Sequence, residues 1–162
     1  IFGYLYGRIA LLTGSYMGGL ALGGWLGTRT VEKSRPGMRK LAAVQTGISM
    51  LPVCWIILLS IHGAAAGQIP FLEVLFYMLT AFAGIAGGFQ FPVADKIYRG
   101  ITPSESYNAW AIYSLDLAGS SVGTLITASL MVPVLGMIPV LGFLAVLNAA
   151  TASALWFSRN KT

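Results

Sequence analysis

The sequence predicts an all-α integral membrane protein, a bundle of about five transmembrane helices. The chain has 162 residues, of which 56% are hydrophobic and only 9% charged, whereas a soluble domain is roughly a quarter charged. Its apolar residues form continuous runs that approach the length of about 20 residues needed to cross a bilayer as a helix. These runs are rich in Leu, Ala and Gly and lack the alternation of apolar and polar residues found in membrane β-barrels.

The predicted helices lie within a single domain that covers residues 1–162. They cover residues 4–26, 41–61, 71–93, 109–132 and 138–157. Pro52 predicts a kink in the second helix, because proline removes a backbone donor and clashes with the preceding turn. A tight connection around Gly136 is expected between the last two helices.

The first helix is dense in glycine at intervals of four residues. The pairs are Gly14/Gly18, Gly19/Gly23 and Gly23/Gly27. Small residues at this spacing let a second helix approach closely, as in the GxxxG motif. Two offset stripes predict that this helix packs on more than one side, and a groove that faces a ligand is the alternative.

The basic residues predict the orientation of the chain. Every Lys and Arg except Arg8 falls in the segments after helices 1 and 3 or in the C-terminal tail. Five helices place these segments on one side, which the positive-inside rule assigns to the cytoplasm. We therefore expect a bacterial inner-membrane protein with a cytoplasmic C-terminus and its N-terminal end outside. The same distribution argues against nucleic acid as a partner, although the basic segment at 28–40 could also contact acidic lipid headgroups.

Asp116 is the one acidic residue deep within an apolar run. Charge inside a bilayer is costly and has to face protein or water. Helical spacing places it on one small, polar face of the fourth helix, which we call the Asp116 face. Its members are Asp116, Gly119, Ser120, Gly123 and Thr127. Gln90 of the third helix lies at a comparable depth, so a contact between Gln90 and Asp116 is predicted.

Three interpretations of Asp116 are open. It relays protons or binds a cation, it holds an amine, or it pins helices 3 and 4 together through hydrogen bonds. The third is favoured, since pumps typically use chains of acidic groups or histidines.

Three polar residues, Arg8, His62 and Glu73, are predicted at the outer membrane interface, with Arg8 and Glu73 as a possible ion pair. A haem held by two histidines is excluded, because His62 is the only histidine. Cys54 is the only cysteine, which excludes an intrachain disulfide and any metal site built from several cysteines. No catalytic triad, paired catalytic carboxylates or phosphate-binding loop occurs. No cofactor or metal is therefore predicted.

Several segments together resemble a known family. They are the glycine-rich run at 14–24, Gly87-Gly-Phe-Gln-Phe-Pro92, Tyr113-Ser-Leu-Asp-Leu-Ala-Gly119 and Val132-Pro-Val-Leu-Gly136. The pattern is similar to the membrane region of bacterial multi-pass spermidine-synthase-like proteins, which join a transporter-like membrane domain to an aminopropyltransferase. The resemblance implies that catalysis belongs to a soluble Rossmann-like domain, and the sequence contains no strand–helix alternation of that kind. We therefore predict that the chain is not an enzyme.

The sequence favours a non-enzymatic membrane subunit or anchor module that packs against partner membrane proteins in the lipid bilayer. The first alternative is part of a transporter for a small molecule or a polyamine-like cation, with Asp116 and Gln90 at its site. The second is a subunit of an electron-transfer or quinone complex, with His62 or the outer loops near the cofactor of a partner.

Overall fold

The computed structural model describes residues 2–33, 38–64, 70–101 and 108–158, which are helical except at Asn108 and Gly136. The α-helices are α1 (Phe2–Lys33), α2 (Met38–Ala64), α3 (Pro70–Ile101), α4 (Ala109–Ile126), α5 (Val132–Leu135) and α6 (Met137–Ser158). A π-helical turn, Thr127–Met131, joins α4 to α5. Five helical stretches among the described residues are long and apolar enough to cross a membrane, and the fourth, Trp110–Leu135, runs from α4 through α5. We call it the fourth span. The predicted all-α membrane bundle is confirmed.

Two helices extend well beyond their predicted ends. The prediction ended the first helix at residue 26 and the third at residue 93, but α1 continues to Lys33 and α3 to Ile101. The 32 residues of α1 span about 48 Å, more than the hydrocarbon thickness of about 30 Å. The added turns carry basic residues, among them Lys33 and Arg99, and a salt bridge of 2.9 Å joins Arg99 to Asp95 one turn earlier. Arg35, Glu105 and residues 65–69 lie outside the described residues.

Two helix pairs form most of the bundle. α1 packs along α3, while α2 packs along α6 and also contacts α3. The buried apolar residues are few and belong mainly to α2, α3 and α6: Leu41, Ala42, Leu58, Leu72, Val93, Val140 and Ala152. A small core is typical of a membrane bundle because lipid, rather than water, covers the remaining apolar surface.

Proline has different consequences in α2 and in the fourth span. α2 continues as an α-helix through Pro52, whereas a π-helical turn precedes Pro133. Pro133 has no N–H for the carbonyl of Ser129, and its ring crowds that carbonyl. Widening the preceding turn accommodates both effects, which accounts for the change of helix type.

Gly136 alone connects the fourth span to α6. Its φ of 85° and ψ of 168° lie in a region essentially restricted to glycine. Its N–H donates to the carbonyl of Val132 at 2.9 Å. The expected tight connection is therefore a single residue, and its backbone angles set the direction of α6 relative to the fourth span.

Candidate functional site

A buried amide links three helices of the bundle. Gln45 of α2 is 6% exposed. Its Oε1 accepts a hydrogen bond of 2.7 Å from Nε2 of Gln90 in α3. Its own Nε2 donates to Oδ1 of Asn148 at 3.0 Å and to Oγ1 of Thr151 at 2.8 Å, both in α6. We call these four side chains the Gln45 network.

Local geometry in α6 orients two members of the network. Asn148 and Thr151 are three residues apart and therefore lie on one face of the helix. Nδ2 of Asn148 donates to the carbonyl of Leu144 at 2.8 Å, which turns Oδ1 toward Gln45. The hydroxyl of Thr151 donates to the carbonyl of Asn148 at 2.8 Å and accepts from Gln45.

The Gln45 network is suited to holding helices rather than to acid–base chemistry. All four members are amides or hydroxyls, which have no titration near neutral pH. Both amide hydrogens of Gln45 and its carbonyl oxygen are used. The arrangement therefore satisfies its buried polar atoms internally, which is what the interior of a membrane protein requires.

The structure does not form the predicted contact between Gln90 and Asp116. Gln90 donates its amide to Gln45 instead. No hydrogen bond or ion pair to Asp116 occurs among residues 2–33, 38–64, 70–101 and 108–158. The fourth span approaches α3 one turn earlier, where the rings of Tyr113 and Phe91 meet edge to face with centroids 6.4 Å apart. The difference arises because Gln45 lies nearer to Gln90 and accepts the hydrogen bond of its amide.

The Asp116 face is open. Asp116, Gly119, Ser120 and Gly123 are all exposed, and a Cβ added at either glycine would meet nothing within 4 Å. Thr127, at the start of the π-helical turn, is partly buried. Ser120 satisfies its hydroxyl within α4, by donating to the carbonyl of Leu117 at 3.0 Å. Residues 113–126 are all exposed, and the most apolar stretch of the fourth span contains no buried residue. The described helices therefore leave this face uncovered, as they do the other sides of α4.

The glycines of α1 divide into two groups. A Cβ at Gly19 would overlap the carbonyl of Ala81, and one at Gly23 would overlap the carbonyl of Ile85, both in α3. In return, Gly84 and Gly88 of α3 lie against carbonyls of α1. Gly14 and Gly18, by contrast, have nothing within 4 Å of an added Cβ. One stripe therefore packs against α3, and the other contacts no described part of the chain.

The three residues predicted at the outer membrane interface meet at a cavity between α1, α2, α3 and the start of α6. Arg8 and Glu73 form an ion pair, and both line this cavity of about 310 Å³ together with His62. The His62 ring packs edge to face on Phe76 with centroids 5.8 Å apart. Its Nδ1 is buried and has no hydrogen-bond partner among the described residues. We call this space the outer cavity.

Sequence reasoning missed Gln45, Asn148 and Thr151. Each is a polar residue inside an apolar run, the same signal that singled out Gln90 and Asp116. No cluster of three potential metal ligands occurs in the part of the chain that the structure describes. No comparable pattern in the sequence marked the aromatic walls of the outer cavity, because Trp, Tyr and Phe are common in membrane helices.

Comparisons with protein-family models, curated proteins and solved structures find no match to this chain. The resemblance to the membrane region of spermidine-synthase-like proteins therefore stays a prediction. Likewise, no observation brings Asp116 and Gln90 together as a transport site. Any proposal about the function of the chain therefore rests on its own geometry.

Proposed function

We propose that the chain is a non-enzymatic multi-pass membrane subunit that docks onto a partner membrane protein through its fourth span. The observation that carries this proposal is the uncovered Asp116 face. Trp is enriched at membrane interfaces. With Trp110 at the interface, Asp116, six residues later and about 9 Å along the helix, lies inside the hydrocarbon region. An acidic residue facing lipid there would cost several kcal/mol. A partner helix removes that cost, and Gly119 and Gly123 allow it to approach closely.

The chemistry of the Asp116 face favours a particular partner. A transmembrane helix that carries Lys or Arg at the same depth would neutralise the carboxylate through a charge-assisted hydrogen bond. A second copy of this chain is a poorer match, because parallel copies in one membrane would place two carboxylates together at the same depth. The partner we infer is therefore a different protein with a basic residue in its membrane span.

The bacterial cytoplasmic membrane is the proposed location. Arg29 and Lys33 at the end of α1, and Lys96 and Arg99 near the end of α3, lie on the same side of a five-span topology. The positive-inside rule favours the cytoplasm for that side. The C-terminus is then cytoplasmic and the beginning of α1 faces outward.

Gly123→Leu is expected to reduce recovery of the partner complex about tenfold, since a bulky residue in a close helix contact costs roughly 1–3 kcal/mol. Asp116→Lys should have at least as large an effect, because it would place like charges together. The measurement is the fraction of chain that elutes as a larger complex after extraction from its native membrane in mild detergent. Neither variant should lower the melting temperature of the isolated chain, since a Cβ at Gly123 meets nothing within 4 Å.

Ala118→Leu is the matched control, because Ala118 lies on the opposite side of α4, about 160° from Asp116, and is also exposed. It should leave the complex intact. A chain that elutes alone, or a complex equally tolerant of Gly123→Leu and Ala118→Leu, would contradict the proposal.

A further inference from the structure

The outer cavity has the shape of a small-ligand site. Its volume of about 310 Å³ lies at the lower end of the range of roughly 300–1,000 Å³ for ligand pockets. Leu12 of α1, Leu59 of α2 and Met137 of α6 contribute its aliphatic walls. Because four helices meet around it, the cavity belongs to the folded bundle and is independent of the Asp116 face.

The cavity also has flat aromatic walls. Trp55 packs on Phe76 with ring centroids 5.0 Å apart and an interplanar angle of 50°, and Tyr77 lies beside them in the lining. Aromatic rings prefer offset or edge contacts with other rings. These walls therefore suit a planar ring better than a flexible aliphatic chain.

The charges at the cavity favour a neutral occupant. The carboxylate of Glu73 accepts a hydrogen bond from the guanidinium of Arg8, and the two side chains are 28% and 30% exposed. This pairing leaves the cavity lining without net charge from these two residues. A cation would have to compete with Arg8 for Glu73, and an anion would have to compete with Glu73 for Arg8. Neither competition is needed for an uncharged ligand.

His62 supplies hydrogen-bonding capacity that the described protein does not use. It lines the cavity and its ring contacts Phe76. Its Nδ1 is closed off from solvent, so a ligand would be bound through Nε2, which makes no hydrogen bond among the described residues. A neutral imidazole carries one donor and one acceptor. It can therefore donate to a carbonyl oxygen or accept from a hydroxyl of a bound ligand.

We propose that the outer cavity binds the head group of a lipid-soluble quinone, a neutral planar ring that carries carbonyl or hydroxyl oxygens. Such a molecule matches the aromatic walls, the neutral ion pair and the imidazole of His62. The proposal concerns binding alone and does not depend on the partner of the fourth span.

Decyl-ubiquinone titrated into the purified chain in detergent tests this site by calorimetry. Leu12→Phe fills the cavity and should weaken binding by about tenfold, the equivalent of roughly 1.4 kcal/mol. Leu11→Phe is the matched control: Leu11 is 59% exposed and does not line the cavity, so affinity should stay within about twofold. His62→Phe keeps a ring in place but removes the nitrogens, and should weaken binding about fivefold, as expected for one hydrogen bond.

Two results would overturn the proposal. One is equal affinity in the wild type, Leu12→Phe and Leu11→Phe, which would indicate partition into detergent. The other is displacement of the quinone by tetraethylammonium or by a short alkyl phosphate, which would indicate a cation or an anion site. If Leu12→Phe lowers the melting temperature, Leu59→Phe fills the same cavity from α2 and is held to the same criterion.

Discussion

Gly23→Ala is expected to lower the free energy of unfolding by about 3 kcal/mol, near the upper end of the usual range for overpacking. An added Cβ at this position would overlap the carbonyl of Ile85 in α3. Backbone atoms cannot rotate away as a side chain can, so α1 and α3 would have to separate along their whole contact. The measurement is the thermal or denaturant-induced unfolding of the purified chain in detergent.

Gly18→Ala is the control for this prediction, because the same Cβ at Gly18 meets nothing within 4 Å. It should leave stability unchanged or raise it slightly, since alanine is the better helix former by about 1 kcal/mol. Equal stability of Gly18→Ala and Gly23→Ala would show that α1 and α3 do not pack at the glycines as described.

Gln45→Leu is expected to destabilise the bundle by about 2 kcal/mol. The change removes three interhelical hydrogen bonds, and such bonds in membrane proteins average about 0.6 kcal/mol each. It also leaves the amide of Gln90 and the Oδ1 of Asn148 without this partner. Unfolding of the purified variant measures the loss, with Met50→Leu, an exposed position in the same helix, as the control.

Additional substitutions distinguish the network from a simple packing effect. Gln45→Leu and Asn148→Leu should be less than additive, because they remove a shared hydrogen bond. Adding Gln90→Leu should recover part of the loss, since replacing all partners by apolar groups leaves no buried amide unsatisfied. Strictly additive losses across the three variants would contradict the network.

The membrane spans could be predicted from the sequence because a continuous apolar run is itself the signal for a helix that crosses the bilayer. The helix ends could not, because hydropathy marks the edge of the hydrocarbon region, whereas α1 continues through Arg29 to Lys33 by its own backbone hydrogen bonding. Likewise, the four-residue spacing of glycines is the same at Gly14/Gly18 and Gly19/Gly23. Only the position of α3 decides which pair is buried.

For the polar residues, too, only part of the structure could be predicted from the sequence. Helical periodicity places the Asp116 face on one side of α4, but the partner of Gln90 depends on which helices are neighbours. Gln45 reaches Gln90 because α2 lies between α3 and α6. A single sequence carries no direct signal for which helices are neighbours. The outer cavity is formed by four helices, so it could not be predicted from the sequence for the same reason.

Photo-crosslinking in the native membrane is the most direct test of our proposal that a different membrane protein covers the Asp116 face. A diazirine-bearing amino acid at position 120 lies on this face, and one at position 125 lies about 180° around the helix from Asp116. Position 120 should give a protein adduct whose crosslinked segment is a transmembrane helix with Lys or Arg at the depth of Asp116. Position 125 should label lipid. Lipid adducts alone at position 120, or an adduct with a second copy of this chain, would contradict the account.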